Sequence, residues 1–390
     1  MNVTMLSDLL AQPLSGVGRY GYELARALQE QSAIDVLAFL SYRGEETWAD
    51  IERRLVTRID TSANAKWNAA QLRTRLVNTR LGSSAFAAAT RIQHARFASR
   101  FAGSVLHATT LQQLPSGSFA SKRVVTIHDA SHCINPSWHP AQRVHRLRAA
   151  MQQLATVDAV IAVSRSTANT LIEYGFVTAN AVSVIHNGVS PLFNLVANAN
   201  NAASRRGAVC VSTIEPRKNI GTLLNAYSTL PKRVLNDHPL TLVGEYGWNS
   251  AQIHAIISEY QARGWLRYLG YVSDATLATL YSLSSLALYP SLYEGFGLPL
   301  LEALAAGTPV IAGNHSSIPE VAGGHARLLD DVTNVDEMRE LILAELYTSW
   351  DADAATARMV HSRQFTWELT AAQTVGVYQR ALGITGLPLR

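Results

Sequence analysis

Cysteine is scarce in this sequence, with only Cys133 and Cys210 among 390 residues. The two cysteines lie far apart and neither belongs to a Cys-x-x-Cys or Cys–His pattern, which argues against a disulfide framework and a zinc site. Basic residues are missing from the first twelve positions, and Asp8 interrupts the apolar stretch there, so no signal peptide is predicted. These absences favour a protein of the reducing cytoplasm.

Long apolar runs are also missing, because no uncharged apolar stretch reaches the roughly 20 residues that a membrane-spanning helix needs. Hydrophobic residues nevertheless make up 48% of the chain and charged residues 16%. This balance is typical of a folded globular protein, and the length leaves room for two domains.

Acidic residues are absent from residues 61–128, whereas basic residues are frequent there. Arg73, Arg75 and Arg80 belong to this stretch, and aromatic residues such as Trp67 lie among the charges, as in helices that bind membrane surfaces. A local field of one sign attracts phosphate-rich partners. We therefore expect contact with an anionic membrane or an anionic acceptor, with a solvated helical face as the alternative. Nucleic acid is not an expected partner because no recognition motif accompanies the charge.

Short apolar runs alternate with amphipathic helical patterns along nearly the whole chain, which predicts a parallel α/β architecture. A polar tract rich in Asn and Ala interrupts this alternation at residues 194–207. We therefore predict a Rossmann-like, doubly wound domain over residues 1–193, a linker over 194–207 and a second such domain over 208–365. A last helix in residues 366–390 is expected to pack back toward the first domain. Ligands of such folds bind beyond the carboxyl ends of the strands, so the two domains should face each other across a cleft.

Gly16, Gly18 and Gly21 have the spacing G-x-G-x-x-G and precede apolar residues at helical spacing. In a dinucleotide-binding domain the first glycine follows the first strand directly, and an acid about 20 positions later binds the ribose. Here the predicted first strand ends well before Gly16, and Glu45 and Glu46 are the acids near the ribose position. The motif therefore favours a helix start that binds an anion, with a dinucleotide site and a plain turn as alternatives.

Residues 290–312 predict an anion-binding helix N-terminus flanked by two carboxylates. Pro299 suits a first helical turn, and Gly295 lets the backbone before it approach a ligand closely. Glu294 precedes this turn, and Glu302 lies one turn inside the helix. Acids near a helix start can serve the helix dipole alone, but on either side of a bound phosphate they can also accept sugar hydroxyls.

Residues 212–224 place two cations between a predicted strand and the next helix. Arg217 and Lys218 follow the carboxyl end of that strand, where Arg and Lys can neutralise a diphosphate and stabilise it as it leaves. A basic turn in solvent is the alternative interpretation.

Together these stretches resemble the retaining nucleotide-sugar transferases of glycosyltransferase family 4. The match is densest over residues 209–323 and rests on TIEPRKN, LVGEYGW, YLGYVSDATLATLYS and PSLYEGFGLPLLEALAAGTPVIA, in order and at matching distances. The Glu294–Glu302 pair is similar to the family's E-x7-E motif. The resemblance implies the GT-B fold, in which two Rossmann-like domains enclose the active site.

The resemblance also implies a role for each matching residue. Glu294 would contact the donor sugar and Glu302 the nucleoside ribose, while Arg217 and Lys218 would bind the diphosphate. His128, at the end of a predicted strand, is similar to the histidine that lies beside the transferred sugar. The remaining expected donor contacts are Gly16, Gly18, Phe296, Gly297 and Leu298. The implied mechanism needs no metal and no cofactor besides the nucleotide diphosphate sugar.

The variant TIEPRKN resembles bacterial polysaccharide and O-antigen enzymes, which predicts a mannosyltransferase that uses GDP-mannose. Ser212 and Thr213 stand where many family members carry Gly-Arg, so Arg217 lacks a second arginine upstream. The expected acceptor is a growing, lipid-linked glycan at the inner face of the cytoplasmic membrane. The alternatives are a UDP-sugar-dependent transferase for glucose or N-acetylhexosamine, a nucleotide-sugar epimerase, a retaining glycosidase and a noncatalytic sugar- or lipid-binding module.

Overall fold

The computed structural model of the chain describes residues 1–10, 16–41, 44–56, 103–114, 121–199, 205–248 and 250–384. Most of the acid-free stretch lies outside the described residues, including Arg73, Arg75 and Arg80. Within the described residues the strands form two separate sheets, one in each half of the chain.

The first sheet comes from the N-terminal half. Its strands are β1 (Asn2–Leu6), β2 (Val36–Ser41), β3 (Gly44–Glu46), β4 (Val105–Ala108), β5 (Lys122–Ile127), β6 (Ala159–Ala162) and β7 (Val182–Val184). They lie in the order β3-β2-β1-β4-β5-β6-β7, and all neighbours are parallel except β2 and β3. The helices of this half are α1 (Gly16–Gln29), α2 (Trp48–Val56), α3 (Ser131–Ile134), α4 (Ala141–Met151), α5 (Arg165–Glu173) and α6 (Pro191–Ala199).

The second sheet comes from the C-terminal half and is parallel throughout. Its strands are β8 (Ala208–Val211), β9 (Leu240–Val243), β10 (Leu266–Tyr268), β11 (Leu286–Tyr289), β12 (Val310–Gly313) and β13 (Arg327–Leu329), in the order β10-β9-β8-β11-β12-β13. Its helices are α7 (Ile220–Ser228), α8 (Lys232–Asp237), α9 (Ala251–Ala262), α10 (Asp274–Leu283), α11 (Leu298–Ala305), α12 (Ile318–Ala322), α13 (Val335–Tyr347), α14 (Ala352–Ser362) and α15 (Trp367–Ala381).

The central strands are apolar because helices cover both faces of each sheet. Every residue of β4, β11 and β12 is buried, as expected for parallel strands inside an α/β domain. Side-chain caps fix where several helices begin: Ser164 accepts from the Thr167 amide before α5, and Ser273 from the Thr276 amide before α10.

Both sheets reverse their strand order beside their first strand, between β1 and β4 and between β8 and β11. Ligands of doubly wound sheets bind at this reversal, outside the carboxyl ends of the strands. In the second sheet the segment after β8 carries Arg217 and Lys218, and the segment after β11 carries Glu294. The topology therefore brings these three side chains to one place.

Helix α15 leaves the C-terminal half and packs against the first domain. The ring of Trp367 lies 5.9 Å from that of Tyr20 on α1, and the hydroxyl of Tyr378 lies 2.7 Å from Nδ1 of His107 on β4. Both Trp367 and Tyr378 are fully buried. The last described helix thus completes the core of the N-terminal domain.

The structure differs from the sequence-based expectations at two places in the first domain. Strand β3 is an antiparallel edge strand that the alternation of helices and strands did not predict. Glu46 on β3, weighed as a ribose acid, instead accepts from Ser7 Oγ at 2.6 Å and pairs with Arg54 at 2.6 Å. The pattern of residues 141–154 predicts one continuous helix, whereas α4 ends at Met151 and the chain continues as a 3₁₀ turn.

Candidate active site

Glu294 is held between two cations at the carboxyl edge of the second sheet. Its Oε1 accepts from Lys218 Nζ at 2.5 Å, and its Oε2 from Arg217 Nη1 at 3.4 Å. A second acid, Glu215, lies 2.5 Å from Arg217 Nε. The structure therefore joins residues that are 76 and 77 positions apart in the chain into one buried ionic cluster.

Backbone contacts between the two segments fix this cluster. The Leu292 amide donates to the Arg217 carbonyl at 2.7 Å, and Arg217 Nη1 donates to the Tyr293 carbonyl at 3.3 Å. On the other side, the Glu294 amide donates to Ser316 Oγ, while Ser317 Oγ donates to the Glu294 carbonyl, both at 3.0 Å. The carboxylate and both cations are thus positioned before any substrate arrives.

The charges of the cluster are coupled. Burial and the neighbouring Arg217 lower the pKa of Lys218, an effect that Glu294 opposes. Burial alone would raise the pKa of Glu294, but Lys218 and Arg217 outweigh it and hold the pKa below its ordinary value. Glu294 is therefore ionised at neutral pH.

Asp129 from the first domain also faces this cluster, although no motif in the sequence marks it. Burial opposes its charge, but Arg217 and hydrogen bonds from Ser131 hold the pKa of Asp129 well below its ordinary value. Ser131 donates to Oδ1 through both its amide, at 3.1 Å, and its hydroxyl, at 2.7 Å. The one available signal was its position directly after His128 at the end of a buried strand.

His128 lies at the domain boundary, directly after β5. Its Nε2 donates to the Thr109 carbonyl at 2.7 Å. Since a carbonyl only accepts, this contact fixes the proton on Nε2 and leaves Nδ1 as an acceptor in the neutral ring. Burial lowers the pKa of His128, which favours that neutral form.

Gly295 brings the second domain into contact with His128. A Cβ atom on Gly295 would lie 1.6 Å from the His128 carbonyl oxygen, so no other residue fits there without displacing the backbone. The Gly295 carbonyl accepts from Ser164 Oγ at 2.6 Å and from Thr167 Oγ1 at 3.2 Å. The close approach expected at Gly295 is therefore made here by the N-terminal domain.

Gly297 directly precedes helix α11 and has a φ of 106°, a left-handed conformation that suits glycine. Phe296 is buried against the rings of His186 and Phe365. Phe296, Gly297 and Leu298 thus form the turn into α11, whose first amides favour an anion.

Two residues other than glycine have left-handed backbone conformations beside the cluster, Asn219 with φ 56° and Ser316 with φ 54°. Asn219 directly follows Lys218, and Ser316 Oγ contacts the Glu294 amide. Strain of this kind persists where surrounding contacts over-determine the backbone, which is common at functional sites.

Glu302 lies inside α11, away from Lys218 and Arg217. Its carboxylate faces Arg19 of α1, with 3.7 Å between Oε1 and Nη1. Burial raises the pKa of Glu302 to about 7; Arg19 opposes this shift and Asp274 adds to it. No motif in the sequence marks Arg19, although it directly follows Gly18.

The glycine loop enters the same region from the first domain. Helix α1 begins at Gly16 and buries Gly18, whereas residues 11–15 lie outside the described part of the chain. The structure therefore places Gly16 and Gly18 on the helix end that carries Arg19.

A second carboxylate joins the domains at another point. Glu320 of α12 accepts from the Arg165 amide at 3.0 Å, from the Ser166 amide at 3.4 Å, and lies 2.6 Å from His186 Nε2. These amides form the N-terminus of α5, where the helix dipole favours a negative charge. Hydrogen bonds to Glu320 lower its pKa despite its partial burial.

Among the described residues, no group of three or more His, Cys, Asp or Glu side chains is arranged to hold a metal ion. The Asp-x-Asp sequence at 351–353 caps a helix, because Asp351 Oδ1 accepts from the Asp353 and Ala354 amides before α14. Across the same described ranges, every helix is too short or too polar to span a bilayer.

Family models match both halves of the chain. One described as Glycosyltransferase Family 4 matches residues 14–191, and one described as Glycosyl transferases group 1 matches residues 197–353. Among curated proteins, the O-antigen chain mannosyltransferase B of Escherichia coli is 32% identical over 392 residues, which cover 97% of this chain and all of that protein.

Solved structures share the architecture over the whole chain. Sucrose-phosphate synthase from Thermosynechococcus elongatus matches with a TM-score of 0.67 and 18% identity, over 99% of this chain and 100% of that one. HepE from Anabaena, solved with UDP-glucose, matches with a TM-score of 0.68 and 17% identity, over 97% and 100%. The predicted GT-B fold of two Rossmann-like domains is thereby confirmed.

Proposed function

Because this chain belongs to glycosyltransferase family 4, and is thus a glycosyltransferase, we propose that it transfers mannose from GDP-mannose to a growing, lipid-linked glycan. We also propose that the anomeric configuration is retained. The choice of mannose is supported by the relative named an O-antigen chain mannosyltransferase. The observation that carries the chemistry is the buried cluster of Arg217, Lys218 and Glu294 beside the N-terminus of α11.

In this proposal the cluster binds the diphosphate of the donor. Lys218 and Arg217 share the phosphate oxygens with the first amides of α11, which frees Glu294 to accept hydroxyls of the sugar. As the bond between C1 and the phosphate oxygen lengthens, negative charge grows on the diphosphate. Cations that are already in place stabilise this charge without reorganisation.

The transfer itself joins the acceptor oxygen to C1 as the C1–phosphate oxygen bond breaks, and the acceptor proton leaves with the diphosphate. His128 lies beside Gly295 and is assigned to the transferred sugar. The two cations supply the charge stabilisation, so we propose that no metal is required. Activity should therefore survive treatment with EDTA, and its loss would contradict this part of the proposal.

The acceptor would approach along the first domain. A cavity of about 430 Å³ there is lined by Pro136, Ser137, His139, Ala141, Val144, His145 and Arg148. His139 Nε2 lies 2.9 Å from Ser131 Oγ, which in turn donates to Asp129 beside the cluster. The cavity thus adjoins the reacting centre and presents cationic and apolar groups, which suits a glycan that carries a phosphate.

The donor and the reaction can be tested together. Purified protein should be warmed with GDP-mannose, GDP, UDP-glucose and UDP-N-acetylglucosamine, since a bound ligand raises the melting temperature by mass action. The proposal expects stabilisation by the GDP compounds and transfer of mannose in the α configuration, read by NMR of the product. Stabilisation by UDP compounds alone would show that the donor is a UDP-sugar and not GDP-mannose. Conversion of the donor without an acceptor would indicate an epimerase.

Membrane docking through residues 61–128 is part of the same proposal and lies mostly outside the described residues. Each basic residue near an anionic surface contributes about 1 kcal/mol, and salt screens this attraction. Joint replacement of Arg73, Arg75 and Arg80 by Gln should release the protein from vesicles that contain acidic phospholipids. Wild-type protein that fails to sediment with such vesicles at low salt would contradict membrane docking.

A further inference from the structure

Arg19 reaches from the first domain into the second and meets two carboxylates there. Its Nη2 donates to Asp274 Oδ1 at 2.5 Å, and its Nη1 lies 3.7 Å from Glu302 Oε1. The Arg19 side chain is 16% exposed and that of Glu302 is 6% exposed. One sheltered guanidinium is therefore shared by two acids across the domain boundary.

The surroundings of Glu302 make this guanidinium decisive for its charge. The titratable and charged groups that face Glu302 are Arg19 of α1 and, from α10, Asp274 and Tyr281. Asp274 opposes ionisation of Glu302, and Tyr281 uses its hydroxyl to donate to the Pro299 carbonyl at 3.0 Å. Among these groups Arg19 alone favours the carboxylate form.

We propose that Arg19 is a positioning residue for the donor: from the N-terminal domain it keeps Glu302 ionised, so that Glu302 accepts both ribose hydroxyls of the nucleotide. This inference rests on the proposed function, which assigns the ribose to Glu302. An ionised carboxylate is purely an acceptor, whereas a protonated one carries a donor in place of one acceptor site. Hydrogen bonds to the charged form are also the stronger ones.

The proposal couples nucleotide affinity to the arrangement of the domains. Arg19 belongs to α1, whereas Glu302 and Asp274 belong to the second domain. The ribose site thus acquires its charged acceptor when α1 is in place. A nucleoside diphosphate should accordingly bind more tightly when the two domains are together than when they separate.

The test compares binding of GDP to four proteins by titration calorimetry from about pH 6 to about pH 9. Arg19→Gln removes the cation, Arg19→Lys keeps a charge, and Arg26→Gln is the matched control on the same helix. The half-exposed Arg26 pairs with Glu23 of the same helix at 3.0 Å, so its replacement removes a cation from α1 without removing the pairs of Arg19. Melting temperatures verify that all four proteins are folded.

Wild-type affinity should fall as the pH drops through about 7, because Glu302 then binds a proton. Removal of Arg19 raises the pKa of Glu302 further, so Arg19→Gln should bind GDP about tenfold more weakly at neutral pH and approach the wild type near pH 9. Arg19→Lys should recover part of the affinity, and Arg26→Gln should match the wild type. A deficit in Arg19→Gln that is equal at every pH would overturn the inference.

Glu302→Gln separates failure of this inference from failure of the proposed function. Its pH profile contains only the titration of the nucleotide itself and serves as the baseline. If Glu302→Gln binds GDP as well as the wild type at every pH, the ribose role of Glu302 is wrong. If Glu302→Gln weakens binding but Arg19→Gln does not, the ribose role stands and the role of Arg19 is wrong.

Discussion

The two acids of the E-x7-E segment are equally buried, yet their electrostatic surroundings are opposite. Glu294 and Glu302 are each 5% exposed. Glu294 lies 2.5 Å from Lys218, and its pKa falls below the ordinary value. Glu302 lies 3.7 Å from Arg19, and burial raises its pKa to about 7. Because burial is equal, the distance to a cation decides whether the pKa of each acid lies below or above its ordinary value.

The cations of the two sites also come from different domains. Lys218 and Arg217 follow a strand of the same sheet as Glu294, so both cations that pair with Glu294 come from its own domain. Arg19 lies on a helix of the other domain, so Glu302 depends on how the domains meet. Glu294 is thus paired with cations whether or not the two domains are in contact, whereas Glu302 is paired only when they are.

The largest expected effect is on the pH dependence of the free energy of unfolding, and it comes from Glu302. Its pKa is raised in the folded state, so its contribution is fully present below the unfolded pKa and is lost as the pH rises toward about 7. Over the full titration of Glu302, the free energy of unfolding should change by about 3 kcal/mol. Denaturant unfolding of Glu302→Gln should therefore be less sensitive to pH between about 4.5 and 7 than that of the wild type.

Glu294 should behave in the opposite way in the same experiment. Its folded pKa is lowered, so its contribution is present above the unfolded pKa and is lost as the pH falls. Glu294→Gln should thus reduce the loss of stability in acid. Identical pH profiles for the two variants would show that the acids are not in opposite surroundings.

The next largest effect concerns Lys218. Lys218→Ala should lower kcat/KM by about 100-fold or more, because it removes the buried charge that we propose stabilises the leaving diphosphate. The exposed Lys232 at the start of α8 provides the control, and Lys232→Ala should stay near the wild type. A Lys218→Ala enzyme within threefold of the wild type would contradict the assignment.

A third prediction separates the sugar from the ribose. Glu294→Gln keeps the shape of the side chain but loses the charge, so transfer should fall by about tenfold or more while GDP affinity stays nearly unchanged. Glu302→Ala should weaken GDP affinity itself. Equal losses of GDP affinity in both variants would mean that the two roles are wrongly divided.

The smallest expected effect comes from the contact between Glu320 and α5. Glu320→Gln removes a charge from two helix amides and from His186, at a cost of about 1 kcal/mol to the interdomain contact. The KM for the donor should rise by about fivefold while kcat stays unchanged, and solution X-ray scattering should show a larger radius of gyration. The exposed Glu340 is the control site. If Glu320→Gln and Glu340→Gln give the same KM and the same radius, Glu320 does not stabilise the contact between the domains.

Much of the fold was predictable because local patterns determine it. The alternating strands and helices, and the Gly295–Pro299 turn before α11, follow from apolar runs and from glycine and proline positions. Strand β3 was missed because three residues with two glutamates carry no apolar pattern, and its stability comes from pairing with β2. The end of α4 at Met151 was missed because the sequence after it remains compatible with a helix.

The site was less predictable because its contacts join distant parts of the chain. Arg19 and Asp274 are 255 positions apart, and only the placement of the two domains brings them together. Asp129 likewise belongs to the site only because it lies close to Arg217 of the other domain, which lowers its pKa. Motif spacing marks the residues of one segment, whereas such pairs depend on the topology and on how the domains meet.

The return of α15 to the first domain has a mechanical consequence. The chain crosses between the domains twice, and the crossings touch: the Val189 amide donates to the Phe365 carbonyl at 3.0 Å, and a Cβ on Gly188 would lie 2.3 Å from the Trp367 nitrogen. We therefore expect the two adjacent crossings to act as a single hinge, about which one domain rotates against the other. A side chain larger than that of glycine at position 188 would displace the Trp367 backbone and so disturb this hinge.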